Sequence, residues 1–431
     1  MRTTRFMGVL ALWASVLPAQ QRADMGAKSD AGSVLLTRLD AVTAALRANP
    51  QLDIAREQWL QARARRVTAI ALPDPSFTYS LDDEPRVLQL GKAGAINAQI
   101  GLSFPFPSKL RLRGSIARAD IRSADFRYTQ AKQQVAASAS KAYDALLATR
   151  RRGRDLLEGR SLADSVVQRA QARFNAGFVA RLDVIKARVD LAQADNDLIA
   201  NSRELSNAEA ALNRLMGLPL GTHLAQQDSL GIPQELPPLE ALEAAAYVSR
   251  PDLGDLEAQR TGARSNTSLL KQYWFPDFTL GAAHDYKTPG GPGYSAGLGL
   301  ALPLFFWQHS RGDVAESQHR EMELAASYRD ASAAVGQDVR SAYASAATAL
   351  RQAVFIRDEL LPAARESYRA VSVAYTLGGA SSLEVIDARR TLLDAQSQYS
   401  EALANANSAR ADLEFAVGRP LNSFAPGGSR E

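Results

Sequence analysis

The chain has 431 residues, of which 46% are hydrophobic, with a formal charge of +4 and no cysteine. The missing cysteines exclude disulfides, thiol catalysis, cysteine metal clusters and lipid attachment at a mature N-terminal cysteine. So small a charge, part of it in the first residues, argues for no nucleic-acid partner.

The first residues carry Arg2 and Arg5, then an apolar run from Phe6 to Val16 and a small-residue exit at Leu17-Pro18-Ala19. This pattern is a secretory signal peptide over residues 1–19, too short for a membrane anchor of about 20 apolar residues. No later stretch is apolar enough to cross a bilayer as a helix, so any further membrane contact has to be made by strands.

Residues 20–225 form a first unit: a helix, two strands and a long helical hairpin over 108–218. The strands, 76–82 and 95–104, alternate Phe77, Tyr79 and Leu81, then Ala98, Ile100, Leu102 and Phe104, with small or polar residues. Period two is a strand signal that fits a soluble sheet as well as a barrel. From Ser108 to Leu218 there is no proline, and good helix formers dominate. The one plausible reversal, Asn175-Ala176-Gly177, leaves a first arm of about 65 residues, or about 100 Å. A helix that long must pack along other long helices. The returning arm has Val184, Leu191, Leu198, Leu205 and Leu212 every seven residues, with Ala187, Ala194, Ala208 and Leu215 three positions on. That is a heptad seam, with Asn201 as a register-setting core polar residue. The run Arg150-Arg151-Arg152 with Arg154 is expected to be a solvated or interhelical salt-bridged face rather than an anion site.

A Gly- and Pro-containing linker at 226–239 leads to a second unit over 240–421, followed by a tail at 422–431. The second unit repeats the first with a period of about 200 residues, far above that of solenoid repeats. Phe174-Asn175-Ala176-Gly177 reappears as Tyr375-Thr376-Leu377-Gly378, and Gly217-Leu218-Pro219-Leu220 as Gly418-Arg419-Pro420-Leu421. Two further strands are expected within 276–302, and a hairpin over 304–418 in which Pro362 kinks or splits the outgoing helix. Its seam is Val385, Leu392, Tyr399, Ala406 and Leu413 with Ala388, Ala395, Ala402, Ala409 and Ala416. Four strands cannot close a barrel, and open edges are not tolerated in lipid, so membrane strands would require several chains to share one barrel.

The duplicated order and the two tip motifs, Arg173-Phe174-Asn175-Ala176-Gly177 to Asp183-Val184 and Tyr375 to Asp387, together resemble the outer-membrane efflux protein family, the TolC-like channels of tripartite pumps. The resemblance covers essentially the whole mature chain. It implies a mainly α fold with membrane β: two tandem structural repeats, a helical coiled-coil tunnel, and four strands per protomer in a twelve-stranded barrel closed by a homotrimer in outer-membrane lipid. It also implies a periplasmic adaptor and an inner-membrane pump as partners, and no cofactor. Acidic residues that line the family's inner constriction match Glu384 and Asp387, three apart on one helical face. By spacing alone they are ordinary solvated helix charges. Asp183 matches the acidic tip position of the first unit, but Ala380 and Ser381 stand where the family's basic tip residue is usual. Lys186, opposite Asp387 in the repeat, is a substitute partner to test. Gly177, Gly378 and Gly379 match the turns where adaptors dock.

The function expected is a passive outer-membrane conduit for small toxic compounds or metal ions. The chain's four histidines, His223, His284, His309 and His319, sit in no metal or nucleophile motif, so neither a metal site nor an enzyme is expected. A periplasmic coiled-coil scaffold or adaptor without a pore is the alternative; it accounts for the heptads but not for four alternating strands.

Overall fold

Proline and its preceding residue set the first breaks in the chain. A computed structural model describes residues 34–82, 95–226, 228–287, 291–302 and 306–424; the expected signal segment 1–19 and residues 425–431 of the tail lie outside the described residues. Thr37 opens helix α1 (Arg38–Ala48) with a reciprocal capping box to Asp40. Asn49 then caps helix α2 (Pro50–Ala69), its side chain accepting from the Gln51 amide at 2.9 Å. In the second half Arg250-Pro251 separates α5 (Leu239–Ser249) from α6 (Pro251–Lys271). The single helix expected before each strand pair is therefore two. The residue before proline is pushed out of helical backbone, and Asn49 and Arg250 are extended, with ψ of 122° and 119°.

The strands follow the alternation. β2 (Ser76–Asp82) and β3 (Ala95–Phe104) fall on the expected residues, and β5 (Asp277–Lys287) and β6 (Gly293–Ala301) lie within 276–302. All pair antiparallel in the order β2-β3-β5-β6, so the sheet joins the two halves of the chain through β3 and β5. A second, two-stranded parallel sheet pairs β1 (Val34–Leu36) with β4 (Leu224–Gln226), and β4 closes the expected first unit, reaching the expected linker only at Gln226. Three-residue strands carry too little pattern to be read locally, and this pairing spans about 190 residues of chain.

The hairpins are as long as the missing prolines imply. α3 (Pro107–Asn175) has 69 residues and α4 (Arg181–Leu215) has 35. In the second half α7 (Phe306–Phe355) ends in a π-helical turn, Ile356–Leu360, followed by α8 (Leu361–Leu377) and α9 (Ser382–Val417). The ring of Pro362 and its missing N–H deny the ordinary helical bond to the residue four back, and the wider turn accommodates this. The heptad seam of α9 is buried at Val385, Ala388, Leu392, Ala395, Ala402, Ala406, Leu413 and Ala416. On α4 the alanines Ala187 and Ala194 are buried, whereas Leu191, Leu198 and Leu205 are half-buried in the single chain. Asn201 is buried and fills the space beside Gly153, where a Cβ would lie 2.7 Å from its Nδ2. The arginine run is interhelical: Arg150 bonds Glu209 and the Leu224 carbonyl, Arg151 lies 4.6 Å over the Tyr399 ring, and Arg152 pairs with Glu204.

The main core gathers where α1, α3, α4 and α9 meet the small sheet, around Leu36, Tyr143, Leu146, Leu212 and Leu403. Beside it Asp144 is buried. Arg38 Nη2 lies 2.9 Å from Asp144 Oδ2, yet neither atom has hydrogen-bond alignment, so the attraction offsets only part of the burial cost. Burial pushes the Asp144 carboxyl up from 3.8 to about 6, against the pull of Arg38. The folded state therefore holds this proton more tightly than the unfolded chain. Stability from this group is fully present below pH ~4 and is lost as pH rises through about 6, by on the order of 3 kcal/mol. Asp144→Asn is expected to flatten that decline, so that its melting temperature relative to the wild type rises between pH 4.5 and 7.5. A difference independent of pH would show that Asp144 titrates normally.

Candidate functional site

Both hairpin tips are built by the same backbone device. At the first, the Phe178 amide donates to the Arg173 carbonyl (2.9 Å) and the Gly177 amide to Phe174 (2.9 Å). At the second, the Gly379 amide donates to Ala374 (2.8 Å) and the Gly378 amide to Tyr375 (3.2 Å). Each is a Schellman closure whose pivot residue must be left-handed, and Gly177 and Gly378 have φ of 78° and 87°. Gly379 has no positive φ; it is the residue after the pivot. Apolar side chains surround these turns in the open, Phe178 at 77% and Leu377 at 82% exposure among them.

The second tip leads into α9 through Ser381, which caps it. Ser381 Oγ accepts from the Glu384 amide (3.3 Å), and Glu384 Oε2 accepts from the Ser381 amide (2.7 Å). Glu384 thus has a local structural role, because its carboxylate favours the positive end of α9. Glu384 and Asp387 lie one turn apart on the exposed side of α9, whose opposite side buries Val385, Ile386 and Ala388. Asp183, in the first turn of α4, is elsewhere engaged: its Oδ1 accepts from Ser382 Oγ at 3.1 Å, tying the starts of α4 and α9. Lys186 is exposed and makes no ion pair with Asp387 within the protomer, among the described residues.

Two arginines hold the hairpins together. Arg173 reaches from the end of α3 to donate to the Tyr375 carbonyl (2.9 Å), with its guanidinium 4.8 Å above the Tyr375 ring. It supplies a basic link between the tips from before the first glycine, whereas the family pattern places one after the second. Arg389, on α9, makes a buried pair with Asp190 of α4. Arg173 stands in the first tip motif, but its partner is about 200 residues away, and nothing local marks Arg389 as buried.

At the other end of the molecule one face of the four-stranded sheet is apolar across every strand. Cross-strand rows run Tyr79, Ala98, His284, Tyr294; then Phe77, Ile100, Ala282, Ala296; then Leu102, Leu280, Leu298; then Phe104, Phe278, Leu300. The opposite face carries Ser80, Gln99, Ser103, Thr279, Ser295 and glycines. Aromatic groups mark both ends of the apolar face. His284 stacks on Tyr294 (4.3 Å) at one end, and Phe106, Phe275 and Trp274 stack at 4.7 and 4.2 Å beyond the other. Among the described residues no helix is long and apolar enough to cross a membrane, and no three His, Asp or Glu converge as a metal site.

Comparison with known proteins agrees with this arrangement. The sequence model of the family described as "Outer membrane efflux protein" matches residues 41–218 and again 244–419. Similar proteins include the cobalt-zinc-cadmium resistance protein CzcC of Cupriavidus metallidurans, 21% identical over 386 residues that cover 89% of this chain and 90% of that one. The outer membrane protein TolC of Vibrio cholerae is 26% identical over 380 residues, 82% of each chain. Among solved structures, the CmeC outer membrane channel of Campylobacter jejuni superposes with a TM-score of 0.74 at 16% identity, covering 88% of this chain and 85% of its own. CusC superposes at 0.73 and 17% identity, covering 93% and 99%. At such identities these likenesses show the fold, a mainly helical chain with few strands as in outer-membrane channels. The pore-less scaffold is left without support. With two family matches that together take in most of the chain, this protein belongs to the outer membrane efflux protein family and is an efflux channel protein of the outer membrane.

Proposed function

We propose that three copies of this chain close one twelve-stranded barrel and one helical tunnel, forming the passive exit duct of a tripartite pump. The observation that carries the reading is the sheet: four strands with an apolar face, ending in β2 and β6, each paired on one side only. Such edges are costly in lipid, and closure by further copies removes them. The two family matches support the division into two structural repeats. So does a pair of equivalent contacts: Asn49 Nδ2 donates to the Leu215 carbonyl (3.1 Å), and Arg250 Nη1 to that of Ala416 (3.3 Å).

At the inner end, Asp387 and Glu384 from three copies place six carboxylates around the axis, attracting cations and repelling one another as the aperture tightens. Asp183 supports this ring through Ser382. The turns at Gly177, Gly378 and Gly379, with their exposed apolar neighbours, are the docking points for a periplasmic adaptor that couples the duct to an inner-membrane pump. The cargo proposed is metal ions or small toxic compounds, on the likeness to a cobalt-zinc-cadmium resistance protein.

The first test is the native mass of the detergent-extracted protein, where a trimer is expected and a monomer would sink the shared barrel. In planar bilayers Asp387→Ala is expected to raise the resting conductance and weaken cation preference. Glu384→Gln is the matching test at the second position, because glutamine retains the capping box while removing the charge. Unchanged conductance and selectivity in both variants would remove these residues from the pore. A deletion strain tested for tolerance to metals, dyes and detergents identifies the cargo.

A further inference from the structure

The residue two positions beyond Asp387 is sealed inside the protein. The side chains of Arg389 and Asp190 are 3% and 2% exposed, the one ion pair among the described residues with both partners so deeply buried. Nε and Nη2 of Arg389 donate to the two oxygens of Asp190 at 3.0 and 2.7 Å, and Nη1 donates to the Gly159 carbonyl at 3.2 Å. One guanidinium therefore ties α9 to both α4 and α3. Arg390, half in solvent, adds a third bond from Nε to Asp190 Oδ1 at 3.1 Å. Gly159 on α3 leaves room for Leu393 of α9, whose Cδ2 would lie 2.5 Å from a Cβ there.

The packing around the pair is apolar and small, and the other polar ties of α9 to α4 and α3 include single hydrogen bonds from Ser382 to Asp183 (3.1 Å) and from Ser400 to Asp155 (3.4 Å) and the exposed ion pair of Asp412 with Lys141. Val184, Ala187, Val385 and Ile386 lie on the tip side of the pair, and Leu361, Ala364, Leu392 and Ala395 on the other. Contacts of that kind are non-directional and tolerate a helix sliding or turning by a small amount. A bidentate guanidinium–carboxylate pair does not, because its geometry is planar and specific. Once desolvated, Arg389 cannot leave Asp190 without remaining buried and uncompensated, and Asp190 would keep only the half-exposed Arg390. The pair thus fixes both the height and the rotation of α9, and with them the direction in which Asp387 faces. We infer that Arg389, through Asp190, is a positioning residue that holds α9 in the resting aperture, and that this pair must part for α9 to swing outward. The inference rests on the channel reading above.

The test uses full-length trimers in planar bilayers, with resting conductance and thermal unfolding measured on each variant. Asp190→Asn leaves Arg389 without its carboxylate and Arg389→Gln leaves Asp190 with only Arg390, and each is expected to raise the resting open fraction about tenfold, the scale of coupling between residues in contact. The double variant Asp190→Leu with Arg389→Met restores packing without the directional pair and is expected to recover near-wild-type stability, since apolar replacement of a buried pair is commonly tolerated, while its open fraction stays raised. A loss of stability in the single variants with no change in open fraction would reduce the pair to a structural role and overturn the inference. If the single variants fail to form trimers, the exchange Asp190→Arg with Arg389→Asp decides. A closed wild-type-like trimer supports the lock, and an open trimer overturns it. Asp387→Ala serves as the control: if it and the wild type form no conducting trimer, the channel reading itself fails, which is distinguishable from conducting trimers that ignore Asp190 and Arg389.

Discussion

Leu298→Arg is expected to destabilise the inserted protein by about 2–4 kcal/mol per copy, the cost of a basic side chain on the lipid side of a barrel near the bilayer midplane. Leu298 stands in the third apolar row of the sheet, opposite Leu280, which is itself opposite Leu102. The aromatic row of Tyr79, His284 and Tyr294 lies on one side of it, and Phe104 and Phe278 on the other. The side chain is 77% exposed in the single chain, so nothing in the protomer compensates an inserted guanidinium. In the proposed shared barrel every copy would carry the change, so the effect is expected to multiply on assembly. The measurement is urea unfolding of protein reconstituted in lipid, with the yield of detergent-extracted trimer as a second readout. Gly297→Ser, one residue away on the opposite face with open space around its Cβ position, is expected to be nearly neutral. Equal stability of Leu298→Arg and Gly297→Ser would overturn the assignment of faces.

Gly217→Val and Gly418→Val form the second large effect, each expected to cost about 2–5 kcal/mol from a disfavoured left-handed backbone and overpacking together. The two glycines follow α4 and α9 and have φ of 68° and 82°. A β-branched residue is a genuine outlier there. Space is lacking as well. A Cβ on Gly217 would lie 2.8 Å from the Ala48 carbonyl oxygen, and one on Gly418 3.0 Å from that of Ser249. Both obstacles are backbone atoms at the ends of α1 and α5, which cannot rotate out of the way. Thermal unfolding of the detergent-solubilised protein reports the loss. Gly221→Val, at a site with nothing near its Cβ position, is the comparison and is expected to change little. If Gly217→Val matched Gly221→Val, the tight return of each long helix onto the preceding helix pair would be wrong.

Several features were legible because their causes are local. Alternation at Phe77-Thr78-Tyr79 and its counterparts placed the four long strands, since a pleated strand exposes alternate residues whatever it pairs with. The absence of proline from Ser108 to Leu218 fixed the length of α3 and α4, and glycine marked the two reversals because only it accepts their left-handed backbone readily. The breaks at Asn49-Pro50 and Arg250-Pro251, and the capping box Ser381-x-x-Glu384, were equally present as local patterns; they were outweighed by the helical composition around them and by the acidic motif. Tertiary structure alone decided the rest. The pairing of β3 with β5, the parallel contact of β1 with β4, the reach of Arg173 to Tyr375 and the burial of Arg389 against Asp190 all join segments more than 170 residues apart. Whether a charge on a long helix meets water or a buried partner depends on which helix lies against it, and that is set by the packing of the whole hairpin pair, not by the residues beside it in the chain.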